Sequence, residues 1–346
     1  MAVITAKLAA AFATKFATAF ASGITAVASA AIVLRALAAV MATLALLFLL
    51  NNYLVHWRGW PPLLADASPF EWTRTLGYGA LLAGACARVA LTPRRGLADD
   101  AELYFRAAAY IIRASFWAVL LIGLCDMLIS FLRVEAYLQS VVGQRLTTQL
   151  GRPVFRGTYV HCPLLAASLV IAWFTRSLSF VWLTLLVVMA EFQVVVSRFV
   201  FSYEQAFMGD LVRFWYAALF LFASAHTLSA EGHVRVDVLY ANFGARGKAL
   251  CNAAGAALLG LPVCWTIMLQ GFSGKGASIV SPLLGFEISQ SGYGMYVKYL
   301  MAGFLLIFAL SMLFQFVGAF LQNAATLCGE RDDAHEDDGA PSAMTA

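Results

Sequence analysis

Long apolar runs, separated by short segments that hold most of the charges, constrain this chain more than any other feature of its sequence. A helix needs about 20 mainly apolar residues to cross the roughly 30 Å hydrocarbon core of a bilayer. Hydrophobic residues make up 62% of the 346 residues and charged residues only 12%, and the mean hydropathy is +0.79. This composition is typical of a polytopic membrane protein and excludes a soluble domain.

Eight runs are bounded by charges, prolines or polar clusters, and each predicts a membrane-spanning helix. They lie at residues 33–55, 74–91, 104–132, 159–175, 178–200, 211–229, 249–271 and 295–323. Backbone polar groups must be satisfied within a span, so the predicted fold class is all-α, a polytopic helix bundle of about eight transmembrane helices. The fourth run is the weakest, and a helix that does not cross completely is the alternative for it.

The chain is predicted to have four segments. Residues 1–30 are rich in Ala and Thr, and Phe12, Phe16 and Phe20 recur at four-residue spacing. This pattern is typical of an amphipathic helix on the membrane surface or of a disordered tail. The other segments are an N-terminal membrane extension at residues 31–175, a four-helix membrane domain at residues 176–325, and a disordered acidic tail at residues 326–346.

The positions of Lys and Arg in short loops predict the orientation, because these residues stay on the cytoplasmic side. The loop after the sixth run holds Arg235, Arg246 and Lys248, whereas the loop after the seventh holds only Lys275. With eight spans, both termini are predicted in the cytoplasm. The connection 133–158 disagrees, because it carries four arginines and eight spans would place it outside.

Composition also excludes several classes of function. The net charge is only +4 and the basic residues lie in short connections, so nucleic acid is not expected as a partner. The six cysteines include no Cys-x-x-Cys pair, and no two of the five histidines lie four residues apart. We therefore predict no metal ion, haem or other cofactor.

Charged residues at the ends of the predicted spans are the first candidates for function, because a charge near hydrocarbon is costly. Arg198 closes the fifth run, with Phe201 at the interface beside it, and a simple membrane anchor is the alternative. Residues 202–213 predict an interfacial amphipathic helix, since apolar side chains recur on one of its faces. Asp210 and Arg213 lie three residues apart on this helix and can pair.

A second charged segment follows the sixth run. From Glu231 to Asp237 polar and apolar residues alternate, with His233 and Arg235 on the same side. Such alternation is typical of an extended segment or a short interfacial turn lying on the cytoplasmic surface. A proton relay is the alternative, but no acidic chain continues into a span.

Together, these motifs resemble those of a known protein family. Residues 176–323 resemble the small membrane subunit of tripartite ATP-independent periplasmic (TRAP) transporters. In that family the first span ends in an Arg-aromatic-Val-Phe sequence, as at residues 198–201. An acidic residue then precedes an arginine by three, as Asp210 precedes Arg213, and a Gly-His-(Val/Ile)-Arg-Val-Asp signature follows, as at residues 232–237. The tryptophan usual before the acidic residue is absent.

A finer resemblance concerns the end of the chain. Glu287 and Ser289, with Gly292, Gly294 and Lys298, are similar to the subgroup labelled for mannitol or chloroaromatic compounds. The spans of the N-terminal extension exceed the four helices that are usual for this subunit, and the resemblance implies no role for them.

The resemblance implies a non-enzymatic scaffold subunit in the bacterial inner membrane, surrounded by membrane lipid. Its partners would be a large permease subunit, which holds the sodium and substrate sites and moves, and a periplasmic binding protein, which delivers an organic acid. The motif residues would form structural and partner-facing surfaces.

An autonomous secondary transporter or channel is the alternative from another class. Asp126, Glu191 and Asp210 would then be its intramembrane carboxylates, because ionisable residues within spans are functional by default. Asp126 and Glu191 could instead pair with nearby arginines such as Arg113 and Arg198.

Overall fold

In this computed structural model, every regular element within the described residues is a helix. Those are residues 2–63, 68–176, 181–229, 240–290 and 292–330, with side chains described from residue 30 onward. Seven helices within them are long and apolar enough to cross a membrane. The predicted fold class, an all-α polytopic membrane bundle, is confirmed.

The helices have the following bounds in the described chain. They are α1 (Ala2–Arg58), α2 (Pro69–Leu91), α3 (Leu97–Val134), α4 (Leu138–Leu150), α5 (Pro153–Arg156), α6 (Cys162–Phe174), α7 (Val181–Phe201), α8 (Ala206–Ser229), α9 (Ala245–Gly255), α10 (Leu261–Gly271), α11 (Val280–Gly285) and α12 (Lys298–Leu327). A π-helical turn, Gly157–His161, joins α5 to α6, and a second, Ala256–Gly260, joins α9 to α10. A 3₁₀ turn covers Tyr240–Asn242.

Seven of the eight predicted runs coincide with these apolar helices. The fourth begins earlier than predicted, at Pro153–Phe174 rather than at residues 159–175, because proline is favoured at the first position of a helix. Residues 74–91 are also helical, as part of α2. Arg74 and Arg88 lie within this run, and α2 is not among the seven helices that are apolar enough to span.

Residues 202–213 do not form the separate interfacial helix that the sequence predicts. After α7 the chain has four non-helical residues, with Ser202 at a φ of 51°, and then enters α8, which continues unbroken. Phe207, Leu211 and Phe214 are at most 2% exposed. Their spacing therefore marks the core-facing side of a spanning helix, which has the same periodicity as the apolar side of a surface helix.

Helices extend into both of the predicted terminal segments. Residues 2–30 are helical, as in one of the two predicted alternatives, and continue into the first span as part of α1. At the start of the predicted tail, 326–346, α12 continues to Leu327, and Glu330 accepts a hydrogen bond from the backbone N–H of Leu97 at 2.7 Å. This carboxylate satisfies a free N–H group at the start of α3. Residues 331–346 lie outside the described chain.

The central helix is α3, which packs between the predicted extension and the predicted C-terminal domain. Phe116 and Val119 of α3 share a core cluster with Trp215 of α8 and Phe304 of α12. The indole N–H of Trp215 donates to the carbonyl of Val119 at 2.9 Å. A Cβ at Gly123 would lie 2.5 Å from the same indole nitrogen. This close approach requires glycine, so α3 is part of the C-terminal core.

α12 runs antiparallel to α3 along most of its length. Leu97 meets Glu330 at one end, the rings of Tyr104 and Phe314 stack with centroids 6.2 Å apart, and the α3 side chain of Asp126 reaches the residues before α12 at the other end. The apolar residues along this contact belong to two core clusters, one on each half of α3.

A buried ion pair fixes α1 to α3. Arg35 donates through Nε to Asp100 Oδ2 at 2.8 Å, and both side chains are at most 2% exposed. The same guanidinium also donates to the carbonyl and hydroxyl oxygens of Thr92 at 3.0 and 3.1 Å. The arginine is therefore compensated within the described chain, as a buried charge must be.

We expect Gly123→Val to destabilise the protein by about 1–3 kcal/mol, because the added methyl groups would push Trp215 away from α3. The measurement is thermal unfolding of the detergent-purified chain, followed by loss of the monodisperse peak in size-exclusion chromatography. Gly84→Val is the matched control, since an added Cβ at this α2 position meets nothing within 4 Å. Equal melting temperatures for the two variants would contradict the packing described here.

Candidate functional site

A cluster of polar side chains is buried where α3, α5, the following π-turn and the start of α12 meet. We call it the buried polar cluster. Each side chain in it is at most 5% exposed. Its members are Asp126, Ser130, Arg156, His161, Tyr296 and Tyr299.

The carboxylate of Asp126 is the centre of this cluster. Its Oδ1 accepts a hydrogen bond from Arg156 Nη1 at 3.0 Å and lies 3.1 Å from His161 Nε2. Its Oδ2 accepts the backbone N–H of Tyr296 at 2.7 Å. The guanidinium of Arg156 lies over the Tyr296 ring at 4.1 Å and also donates to the carbonyl of Leu150. Both carboxylate oxygens are thus engaged, and the buried charge has an opposite charge beside it.

His161 bridges Asp126 and Tyr299. Its Nδ1 lies 2.8 Å from the hydroxyl of Tyr299, so a neutral ring with its proton on Nε2 satisfies both neighbours. The π-helical turn that ends at His161 changes the face on which this side chain lies. The turn begins at Gly157, where a Cβ would lie 2.2 Å from the ring of Phe286. Asp126 and His161 are thus satisfied on all their side-chain polar atoms, whereas Nη2 of Arg156 is buried without a hydrogen-bond partner among the described residues.

A second carboxylate holds the next residue of the same segment. Asp210 of α8 accepts the backbone N–H of Met295 at 3.0 Å, beside the N–H of Tyr296 that is bound to Asp126. A Cβ at Gly294 would lie 2.6 Å from Asp210 Oδ2. The backbone that leads into α12 is therefore hydrogen-bonded to carboxylates from two different helices. We call residues 294–297 the α12 entry segment.

The predicted pair of Asp210 and Arg213 forms, with Arg213 Nη1 3.4 Å from Asp210 Oδ1. The two ends of this pair differ in burial, because the carboxylate side chain is 8% exposed and the arginine side chain is 73% exposed. Asp210 faces the core and binds the α12 entry segment, whereas the side chain of Arg213 is mostly exposed on the surface of the bundle.

The predicted partners of the other charged motif residues are partly wrong. Arg198 lies 3.4 Å from Glu204, in the break between α7 and α8, and not beside Glu191. Asp126 pairs with Arg156 and His161 rather than with Arg113. Phe201, at the end of α7, is 71% exposed.

The C-terminal motif residues lie together at the surface. Lys298 Nζ donates to the carboxylate of Glu287, and the two side chains are 47% and 45% exposed. The backbone carbonyl of Glu287 also accepts the N–H of Tyr299 at 3.0 Å. Ser289 is exposed nearby in the same loop. This loop is therefore attached to the first turn of α12 next to the buried polar cluster.

The remaining predicted site residues, Gly232, His233, Arg235 and Asp237, lie outside the described residues. Within the described chain, no group of three or more His, Cys, Asp or Glu residues is arranged to hold a metal ion.

A cavity of about 510 Å³ opens between α3, α7 and α8. At one end the hydroxyl of Tyr203 donates to the carboxylate of Glu135. Burial raises the pKa of Tyr203 to about 12, and the Glu135 carboxylate acts in the same direction. The hydroxyl therefore remains a donor at physiological pH. The cavity is lined by Met127, Leu128, Phe131, Glu135, Gln193, Ser197, Phe201, Tyr203, Phe207 and Met208.

The sequence signalled Asp126 but not its partners. Arg156 lies in the connection that resembles an ordinary basic loop, and His161 is the histidine within the fourth run. An aspartate inside a span requires a nearby donor or cation. His161, in the next apolar run, was therefore the residue from which a partner for Asp126 could have been predicted.

A comparison with known families gives one match. Residues 184–326 match the model of the family described as tripartite ATP-independent periplasmic transporters, DctQ component. This region resembles the DctQ component. The match extends from α7 to α12 and leaves out α3, which supplies Asp126 to the α12 entry segment. DctQ is a family of transporter components rather than of enzymes. No curated protein and no solved structure matches the chain.

We expect Asp126→Asn to cost about 3–5 kcal/mol of stability, because it leaves the buried Arg156 guanidinium without a counter-charge. Thermal unfolding of the purified protein measures this loss. Glu102→Gln is the control, since the Glu102–Arg106 pair is exposed and such pairs contribute about 0–1 kcal/mol.

A double variant, Asp126→Leu with Arg156→Met, separates charge compensation from packing. Removing both charges leaves no uncompensated ion, so we expect much of the lost stability to return. A double variant as unstable as Asp126→Asn would show that the ion pair is not the reason for the loss.

Proposed function

We propose that this chain is the small, non-enzymatic membrane subunit of a TRAP transporter in a bacterial inner membrane. The observation that carries the proposal is the match of α7 to α12 with the DctQ component. In this proposal the chain is a stationary scaffold beside a large permease subunit that holds the sodium and substrate sites. A periplasmic binding protein delivers an organic acid to the large subunit.

The use of the buried charges supports a scaffold. Asp126 and Asp210 both bind the α12 entry segment, and the Arg35–Asp100 pair ties α1 to α3. A moving transport element needs two alternative packings of its helices. Here the costly buried charges instead hold helices of both parts of the chain in one arrangement.

The same contacts weigh against the autonomous transporter. Asp126 is compensated by Arg156 and by two further hydrogen-bond partners, and Asp210 is bound to a backbone N–H. An ion that used these carboxylates would have to displace those contacts. Glu191 lies on the outer side of α7 and is exposed.

The motif residues acquire different proposed roles. Arg198, Phe201 and Arg213 present exposed groups at the ends of α7 and α8, and we assign them to contacts with the large subunit. We assign the surface loop residues Glu287 and Ser289 to contact with the binding protein. Lys298, which pairs with Glu287, is assigned to the same contact.

Several finer assignments also belong to this proposal. Residues 232–237 keep their predicted place on the cytoplasmic surface, and the C-terminus lies on the same side. The boundary of the family-like region near residue 176 is a further part of it, although α3, which precedes this boundary, packs into the core of that region. The mannitol or chloroaromatic subgroup is another part, and both are supported by the sequence motifs.

The test is to purify the tagged full chain from its native membrane in mild detergent and to identify what accompanies it. We expect a larger hydrophobic subunit in a stoichiometric amount. If the chain is recovered alone, and alone drives ion-coupled uptake in liposomes, the autonomous transporter replaces the scaffold.

We expect Arg213→Ala to lower the recovery of the large subunit several-fold while leaving its affinity for substrate unchanged. The guanidinium is mostly exposed, so its loss removes a surface contact rather than a core one. Recovery is measured by quantitative mass spectrometry, and substrate affinity by binding to the complex that remains. Arg106→Ala is the control, because this arginine is 76% exposed on the N-terminal extension. A normal complex with weakened substrate binding would contradict the assignment.

A further inference from the structure

A carboxylate lies at the middle of the least covered span. Glu191 is the eleventh of the 21 residues of α7, so about 15 Å of helix separates it from either end. Its side chain is exposed. A glutamate side chain is too short to reach the polar surface of a bilayer from that depth, unlike the long Lys and Arg side chains near span ends.

Glu191 has no polar partner among the described residues. The nearest candidate on the same helix, Arg198, is directed to Glu204 at 3.4 Å. The buried carboxylates of Asp100, Asp126 and Asp210, in contrast, each bind an arginine or a backbone N–H group. Because a charge facing acyl chains is costly, an ionised Glu191 needs a cation beside it, and the described residues supply none.

The apolar surface beside Glu191 forms a continuous stripe. Only 11% of the apolar window of α7 is buried, against 22–56% for the other six candidate spans. Large side chains recur along it at three- and four-residue spacing, which places them on one side of the helix. They are Leu185, Val188, Phe192, Val195 and Phe199, between 44% and 77% exposed. We call these five residues with Glu191 the outer face of α7.

We propose that the outer face of α7 is the docking surface for a membrane-spanning helix of the large permease subunit, and that this helix carries an arginine or lysine opposite Glu191. The inference rests on the proposed function and names the partner surface within it. A basic side chain at that depth would compensate the carboxylate and would itself be compensated, which neither acyl chains nor neutral side chains can do.

A second copy of this chain fits the surface poorly. Two copies that met through the same face would form an isologous interface, in which each contact is repeated by symmetry. Two Glu191 carboxylates would then approach each other near the middle of the membrane, where like charges repel strongly. The charge of the outer face therefore favours a different polypeptide.

The first experiment measures recovery of the large subunit with three variants of the full chain, purified from the native membrane. We expect Glu191→Gln to lower recovery about tenfold, because it removes the charge opposite a buried cation. Glu191→Lys should abolish recovery through repulsion. Glu102→Gln is the control, since this glutamate is 54% exposed on α3, and its recovery should equal that of the wild type.

The second experiment places a photoreactive amino acid at Val188 or at Phe192, and at Leu46 as a control. Leu46 is 52% exposed on α1. We expect adducts with the large subunit from the two α7 positions and none from Leu46. Fragmentation of the adduct then identifies the partner helix, and exchanging its basic residue for glutamate should restore recovery with Glu191→Lys.

The outcomes distinguish this inference from the proposed function. If the wild-type chain retrieves the large subunit and the Glu191 variants retrieve it equally, the docking surface is wrong while the scaffold function stands. If the α7 positions give adducts only of two copies of this chain, the docking surface is wrong in the same way. If the wild-type chain retrieves no large subunit, the proposed function fails.

Discussion

The ion pair between Asp126 and Arg156 is the contact on which the rest of this bundle depends. Neither side chain is exposed, so each would be an uncompensated charge without the other. Their pairing fixes the start of the fourth span against α3, and the remaining oxygen of Asp126 then fixes the chain that enters α12. Three segments far apart in sequence are thereby held at one point.

This arrangement gives the N-terminal extension a structural role. The family match covers α7 to α12, but the core of that region includes α3, whose Gly123 admits the ring of Trp215. At the far end of α3, Glu330 binds the backbone of Leu97. The extension therefore supplies part of the interior of the matched region as well as surface outside it.

The sequence predicted the spans well because burial in hydrocarbon requires long apolar runs, which are visible without tertiary structure. It failed at residues 202–213, where a core-facing stripe has the same spacing as a membrane-surface stripe. It also missed the partners of Asp126, because Arg156 and His161 are 30 and 35 residues away and no local spacing connects them. The Asp210–Arg213 pair was predictable because both residues lie on one helix.

The hydrogen bonds of two carboxylates to the backbone of Met295 and Tyr296 have a consequence for folding during synthesis of the chain. The helices α3 and α8 leave the ribosome before residues 295 and 296 are synthesised. The hydrogen bonds from Met295 to Asp210 and from Tyr296 to Asp126 therefore form only later. Asp126 meets Arg156 and His161 in the meantime, whereas Asp210 has only Arg213 on its own helix within the described chain. The polar interior is completed only when the last span arrives, which makes a chain that stops before α12 chemically distinguishable from a finished one.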